Sequence, residues 1–228
     1  MLKLYLCAIT CLCGANAWAV DLTDLERKWL DAASPVIAYA NAMQLPLDVI
    51  VQPETEPQDV PIALGHEAGR CKLVLSLRGN PGAEAILAGI NPSQHSILIE
   101  TMAAHELGHC WRYVQGKWNN FSAGFNSMHD NSGSTRTADE QRRAKEEARR
   151  EEGFADLVGL AWAEHHHPEN YQQIYKWLQA HRSAQSLAGG DHDTRAWVQL
   201  VHDGKRFGTN ADLFEQAGIL WREGLSKL

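Results

Sequence analysis

Apolar positions along the chain recur mostly at steps of three and four, the spacing of one helix face. Residues 21–45 carry such a stripe at Leu25, Trp29 and Ala32. Thr23 and Glu26 have capping-box spacing there, and Pro35 should kink or divide the helix. Residues 97–113 read as one helix opened by Asn91-Pro92-Ser93. On it Ala103, Leu107, Cys110, Trp111 and Val114 form a core stripe, and Leu98, Met102, His105 and His109 form a second row that should line a cleft. Thr137 and Glu140 repeat the capping box before a charged helix beginning at Ala138. Opposite charges stand four apart at Asp139–Arg143, Arg143–Glu147 and Glu146–Arg150, the pattern of a solvated helix. From Glu152 that helix changes character, because Phe154, Leu157, Val158, Ala161 and Trp162 make an apolar stripe. His165-His166-His167 reads as its polar end. Pro168 opens a further helix with Tyr171, Ile174, Tyr175 and Leu178 on one face, broken at Gly189-Gly190. Residues 194–201 and 210–225 complete the helical set.

Strand signals are confined to the first half. Leu47–Val51 lies between Pro46 and Pro53. Residues 62–64 and 71–77 flank a turn at 65–69, and Leu73, Leu75 and Leu77 alternate with Lys72, Val74 and Ser76. Residues 83–90 are a short helix or an irregular stretch. The 71–77 strand is either the sheet edge, offering free backbone groups to an extended peptide, or an ordinary interior strand. The polar segment 116–136, with Trp118, Phe121 and Phe125, is either a functional loop or a surface loop. The expected fold class is α+β: one helix-rich domain over residues 20–228 with a small sheet.

Composition changes the picture at three points. Residues 1–19 have a basic start at Lys3, an apolar run from Leu4 to Cys13 and an Ala17-Trp18-Ala19 cleavage pattern. They read as a signal peptide, so the mature chain is expected in the periplasm or outside the cell. No later stretch is long and apolar enough to span a membrane. Loss of Lys3 leaves 20 basic against 28 acidic side chains, near −8, which disfavours nucleic acid and anionic lipid surfaces as partners. Cys7, Cys11 and Cys13 leave with the signal, and Cys71 and Cys110 remain as a disulfide or as two buried thiols.

The chemistry centres on His105-Glu106-Leu107-Gly108-His109. Two histidines four apart share a helix face and can bind one zinc ion, Zn2+, while Glu106 lies one step around, placed to take a proton from water. A catalytic zinc needs a third protein ligand and an open position. A metzincin would have His where Gln115 stands and Gly where Arg112 stands, so that class is excluded. Glu152 is the expected third ligand, with Asp156 one turn on to hold a ligand imidazole; Glu151 is the rival but has Ala155 at the corresponding position, and an ion-paired Glu152 on a charged helix is the alternative.

His105-Glu106-Leu107-Gly108-His109 followed by Glu152-x-x-Ala155-Asp156 resembles the gluzincin metallopeptidases, over the two helices that carry these motifs. The resemblance implies a zincin-like domain, a peptide or protein substrate beside an edge strand, and peptide-bond hydrolysis by zinc-activated water with Glu106 as general base. It also implies an oxyanion-stabilising side chain, for which Asp191-His192-Asp193-Thr194-Arg195 offers His192 or Arg195. The family context has Pro after that His, whereas this chain has Asp193. The alternative is a non-enzymatic exported module with a structural or partner-binding zinc site. A general base argues against it, because a structural site needs none.

Overall fold

The computed structural model describes residues 21–56, 59–117, 123–124, 137–185, 192–208 and 212–227. Residues 1–19, where the signal peptide is expected, lie outside them, as does most of 116–136. Helix α1 (Asp24–Ala42) starts with the expected capping box: Glu26 N donates to Thr23 Oγ1, and Thr23 N donates to Glu26 Oε2. It runs unbroken through Pro35. Strands β1 (Leu47–Val51), β2 (Ile62–Glu67) and β3 (Arg70–Leu75) follow. The β2–β3 hairpin turns on Ala68 and Gly69, both at positive φ as a two-residue I′-type turn requires. The turn is therefore tighter than the expected 65–69, and β2 extends to Glu67.

Strand order is β1-β3-β2-β4, where β4 (Ala123–Gly124) pairs antiparallel with β2 at Ala63 and Leu64. β3 is thus an interior strand, parallel to β1 and antiparallel to β2, which settles the edge-or-interior alternative. Cys71, Leu73 and Leu75 turn into the core, as their alternation requires.

A short helix, α2 (Pro81–Ala85), and a 3₁₀ turn lead into α3 (His95–Val114), and α4 (Ala138–His166) returns against it. α3 is the central element, packed on the sheet, on α1 and on α4. Every residue of α3 from Leu98 to Cys110 is therefore buried, including the row expected to line a cleft. Val114 departs from expectation: it lies beyond that packing and is exposed. α5 (Tyr171–Gln185), α6 (Arg195–Val198) and α7 (Leu213–Leu225) cover the other side of α4.

α3 and α4 run antiparallel with polar rungs at both ends. Trp162 Nε1 donates to Glu100 Oε1 at 2.6 Å near one end, and Arg112 pairs with Glu151 at the other. Between them Gly108 and Gly159 allow close approach: a Cβ on Gly108 would sit 3.1 Å from Ala155 Cα, and one on Gly159 would sit 3.1 Å from Thr101 O. The charged first half of α4 makes different ion pairs from those expected. Arg142 binds Asp139 and Glu146, since several partners at three- and four-residue steps are equally available on an exposed face.

The Cys71–Cys110 disulfide is formed, with Cα atoms 5.7 Å apart. It ties the residue after His109 to the centre of the sheet. No helix among the described residues is long and apolar enough to cross a membrane. The architecture is α+β and helix-rich, as expected.

Candidate metal centre

His105 and His109 project from adjacent turns of α3 toward Glu152 on α4. Their Nε2 atoms lie 3.2 Å apart. His105 Nε2 is 3.4 Å from Glu152 Oε2, and His109 Nε2 is 3.4 Å from Glu152 Oε1. Two ligands on a tetrahedral ion with bonds of 2.0–2.2 Å stand about 3.3–3.6 Å apart. The three donors therefore have the separations that one small metal ion needs, and they form a group of potential ligands among the described residues. Glu151, the rival ligand, is held by the Arg112 guanidinium and does not join them.

Asp156, one turn beyond Glu152, is the hub behind these ligands. Its Oδ1 accepts from His105 Nδ1 at 2.9 Å, which leaves Nε2 as the ligand nitrogen. Arg182 donates from Nε and Nη2 to the two Asp156 oxygens at 2.9 and 2.7 Å. Thr194 Oγ1 donates to Asp156 Oδ2 at 2.6 Å. Arg182 also stands 3.6 Å from Glu152 Oε2. Neither Arg182 nor Thr194 was anticipated in a role here. Arg182 had a sequence signal: it lies four residues beyond Leu178 on the apolar stripe of α5, a cation at a core position. Thr194 had none beyond its place beside His192.

His192 is brought to the site, and Arg195 is not. His192 is buried, with Nε2 3.3 Å from Glu152 Oε2. Arg195 is exposed and paired with Asp193 at 2.7 and 2.8 Å. The terminal histidines of α4 serve its end: His166 stacks on Trp162, and His167 pairs with Glu100 at 3.1 Å.

Three acids and three imidazoles share one enclosed space. Glu106, Glu152 and Asp156 are buried around a single guanidinium, Arg182, and the imidazoles of His105, His109 and His192. A divalent cation at the donors would take the place of the protons that otherwise offset these carboxylates. The groups respond as such a pocket dictates. Burial opposes charge on His105, but hydrogen bonds and attraction from Asp156 and Glu152 prevail and hold its pKa at about 9. Burial alone dominates at His109 and pushes it down. Burial works to raise Glu152, but the charges of His192 and His109 outweigh it and keep that carboxyl well below its usual range. Glu106 is pushed up to about 8, first by burial and then by Glu152, against the opposing pull of His105. Neither Glu106 oxygen makes a well-formed hydrogen bond, although the Leu64 backbone on β2 is near enough to favour its charged form. A fully buried carboxylate so poorly partnered is costly and marks a place where another group belongs.

No family model, curated protein or solved structure matches the chain.

Proposed function

We propose that the chain is an exported zinc-dependent peptidase of the gluzincin type. The observation that carries this reading is Glu106: fully buried, without a well-formed hydrogen bond, and on the same helix turn as two members of the His105–His109–Glu152 group. Two imidazoles and one carboxylate are a common donor set for catalytic zinc. Zinc held by His105, His109 and Glu152 would supply a Lewis acid for a peptide carbonyl and for water. Glu106 accepts the water's proton at its carboxylate and returns it to the departing amine. Asp156 and Arg182 keep His105 in the tautomer that leaves Nε2 free. His192 donates from its ring to the oxygen that gains negative charge. The amino-terminal pattern and the Cys71–Cys110 bridge support an oxidising compartment outside the cytoplasm.

Two variants test the proposal together. Glu106→Gln is expected to retain zinc and lose peptide turnover by about 10²–10⁴-fold, since the amide cannot accept the proton. His109→Ala is expected to lose both. Turnover retained by zinc-loaded Glu106→Gln would remove the mechanism. A wild-type chain that binds zinc, cleaves nothing in a broad peptide library and unfolds on chelation would instead be the structural module.

A further inference from the structure

The segment from His192 to Trp197 docks on α4 at three successive points. His192 faces Glu152, Thr194 binds Asp156, and Trp197 lies against Gly153. Thr194 is fully buried. It occupies the N-cap of α6, where a threonine hydroxyl ordinarily accepts a backbone N–H of the first helical turn. Here it makes no such capping bond and donates instead to Asp156 Oδ2 at 2.6 Å. A hydroxyl diverted from its usual local partner to a buried carboxylate links two elements that are distant in sequence.

We propose that Thr194 is a positioning residue of the metal centre, whose single hydrogen bond sets both the carboxylate that orients His105 and the backbone that carries His192. Asp156 Oδ1 accepts from His105, and its rotation about the carboxyl axis is fixed by what holds Oδ2. Arg182 donates to both oxygens, and Thr194 adds the second donor that fixes Oδ2. On the other side, Thr194 N donates to His192 O at 3.0 Å, so the hydroxyl also anchors the turn that places the His192 ring. The His105 half of the inference rests on the metal site, and the His192 half on the proposed peptidase reading.

The test compares Thr194→Val, which keeps the shape and removes the donor, with Thr194→Ser, which keeps the donor. Zinc affinity is measured by competition with a chelator, and the visible spectrum of the cobalt-loaded chain reports ligand geometry. Peptide kcat and KM are measured on the zinc-loaded chain. Thr194→Val is expected to bind zinc about 10–100-fold more weakly, as losses of groups behind metal ligands do, with an altered cobalt spectrum. Its kcat is expected to fall with KM little changed. Thr194→Ser is expected to restore affinity and spectrum to within about threefold and near wild type. If Val does not fold, Thr194→Ala against Thr194→Ser gives the same comparison.

Wild-type affinity and spectrum in Val would overturn the proposal. Equal losses in Val and Ser would also overturn it, because they would reflect packing and not the hydroxyl. A wild-type chain without turnover would count against the peptidase reading, and the affinity comparison would still decide the role of Thr194. A wild-type chain that binds neither zinc nor cobalt would overturn both.

Discussion

Gly153→Ala adds one methyl group beside a metal ligand, and the structure says what that methyl meets. Its carbon would lie 2.5 Å from Cδ2 and Cε3 of Trp197, where carbon atoms prefer about 3.5–4.0 Å. Relief needs a movement of about 1 Å by the ring or by α4. The ring has little freedom. Trp197 is fully buried, its Nε1 donates to Trp221 O at 2.9 Å, and Gly224 of α7 closes on its five-membered ring. Overpacking of this kind costs about 3 kcal/mol. Replacing a helical glycine by alanine returns about 1 kcal/mol. The net loss is about 2 kcal/mol, or a fall of about 4–8 °C in Tm for a chain of this size. Gly218→Ala is the matched control within α7, because its new methyl would meet nothing nearer than Arg222 Nη1 at 3.6 Å. That variant is expected to gain up to about 1 kcal/mol and about 2–4 °C. Thermal unfolding of both, each with and without zinc, measures the difference. A Gly153→Ala protein as stable as wild type, alongside a stabilised Gly218→Ala protein, would refute the wedged placement of Trp197.

Two further outcomes are expected. Glu26 is buried and accepts from Arg78 Nε and Nη2 at 3.1 and 2.8 Å, chiefly by which its pKa is held below 4.5. A depressed folded value means that its stabilisation is complete above pH 4.5 and is lost as pH falls from there through the folded value. Glu26→Gln should therefore be less stable by about 1–3 kcal/mol at neutral pH, with the gap to wild type closing in acid; a gap independent of pH would exclude the ion pair as its source. The disulfide closes a loop of 39 residues, for which chain entropy gives about 4 kcal/mol. Cys71→Ala/Cys110→Ala should lower the denaturant midpoint, with a steeper slope because the uncrosslinked unfolded chain exposes more surface, and a loss of less than about 1 kcal/mol would contradict that account.

What could be read from the sequence was local. The capping boxes at Thr23 and Thr137 form as their three-residue spacing requires. The four-residue steps His105–His109 and Glu152–Asp156 each put two side chains on one helix face, and the two faces meet. Choosing Glu152 over Glu151 rested on the same spacing, and the Arg112–Glu151 pair removes the rival. What could not be read was long-range. Nothing local tells β1 to pair with β3 and leave β2 on the far side. Arg182 and Thr194 reach Asp156 across 26 and 38 residues, and no periodicity records such a meeting. Val114 continues the α3 stripe in pattern but lies past the elements that would cover it, so pattern alone placed it wrongly.

The antiparallel pairing of α3 and α4 also says where this chain can change length. The rungs Glu100–Trp162, His105–Asp156 and Arg112–Glu151 descend one helix as they climb the other. One residue inserted within either helix between its rungs would turn everything beyond it by about 100° and carry the donors apart. His105, His109 and Glu152 all sit on the two helices, so a change in the length of the connection leaves the steps inside each helix intact. A search for distant kin should therefore hold fixed the steps inside each helix and leave the gap between His109 and Glu152 open.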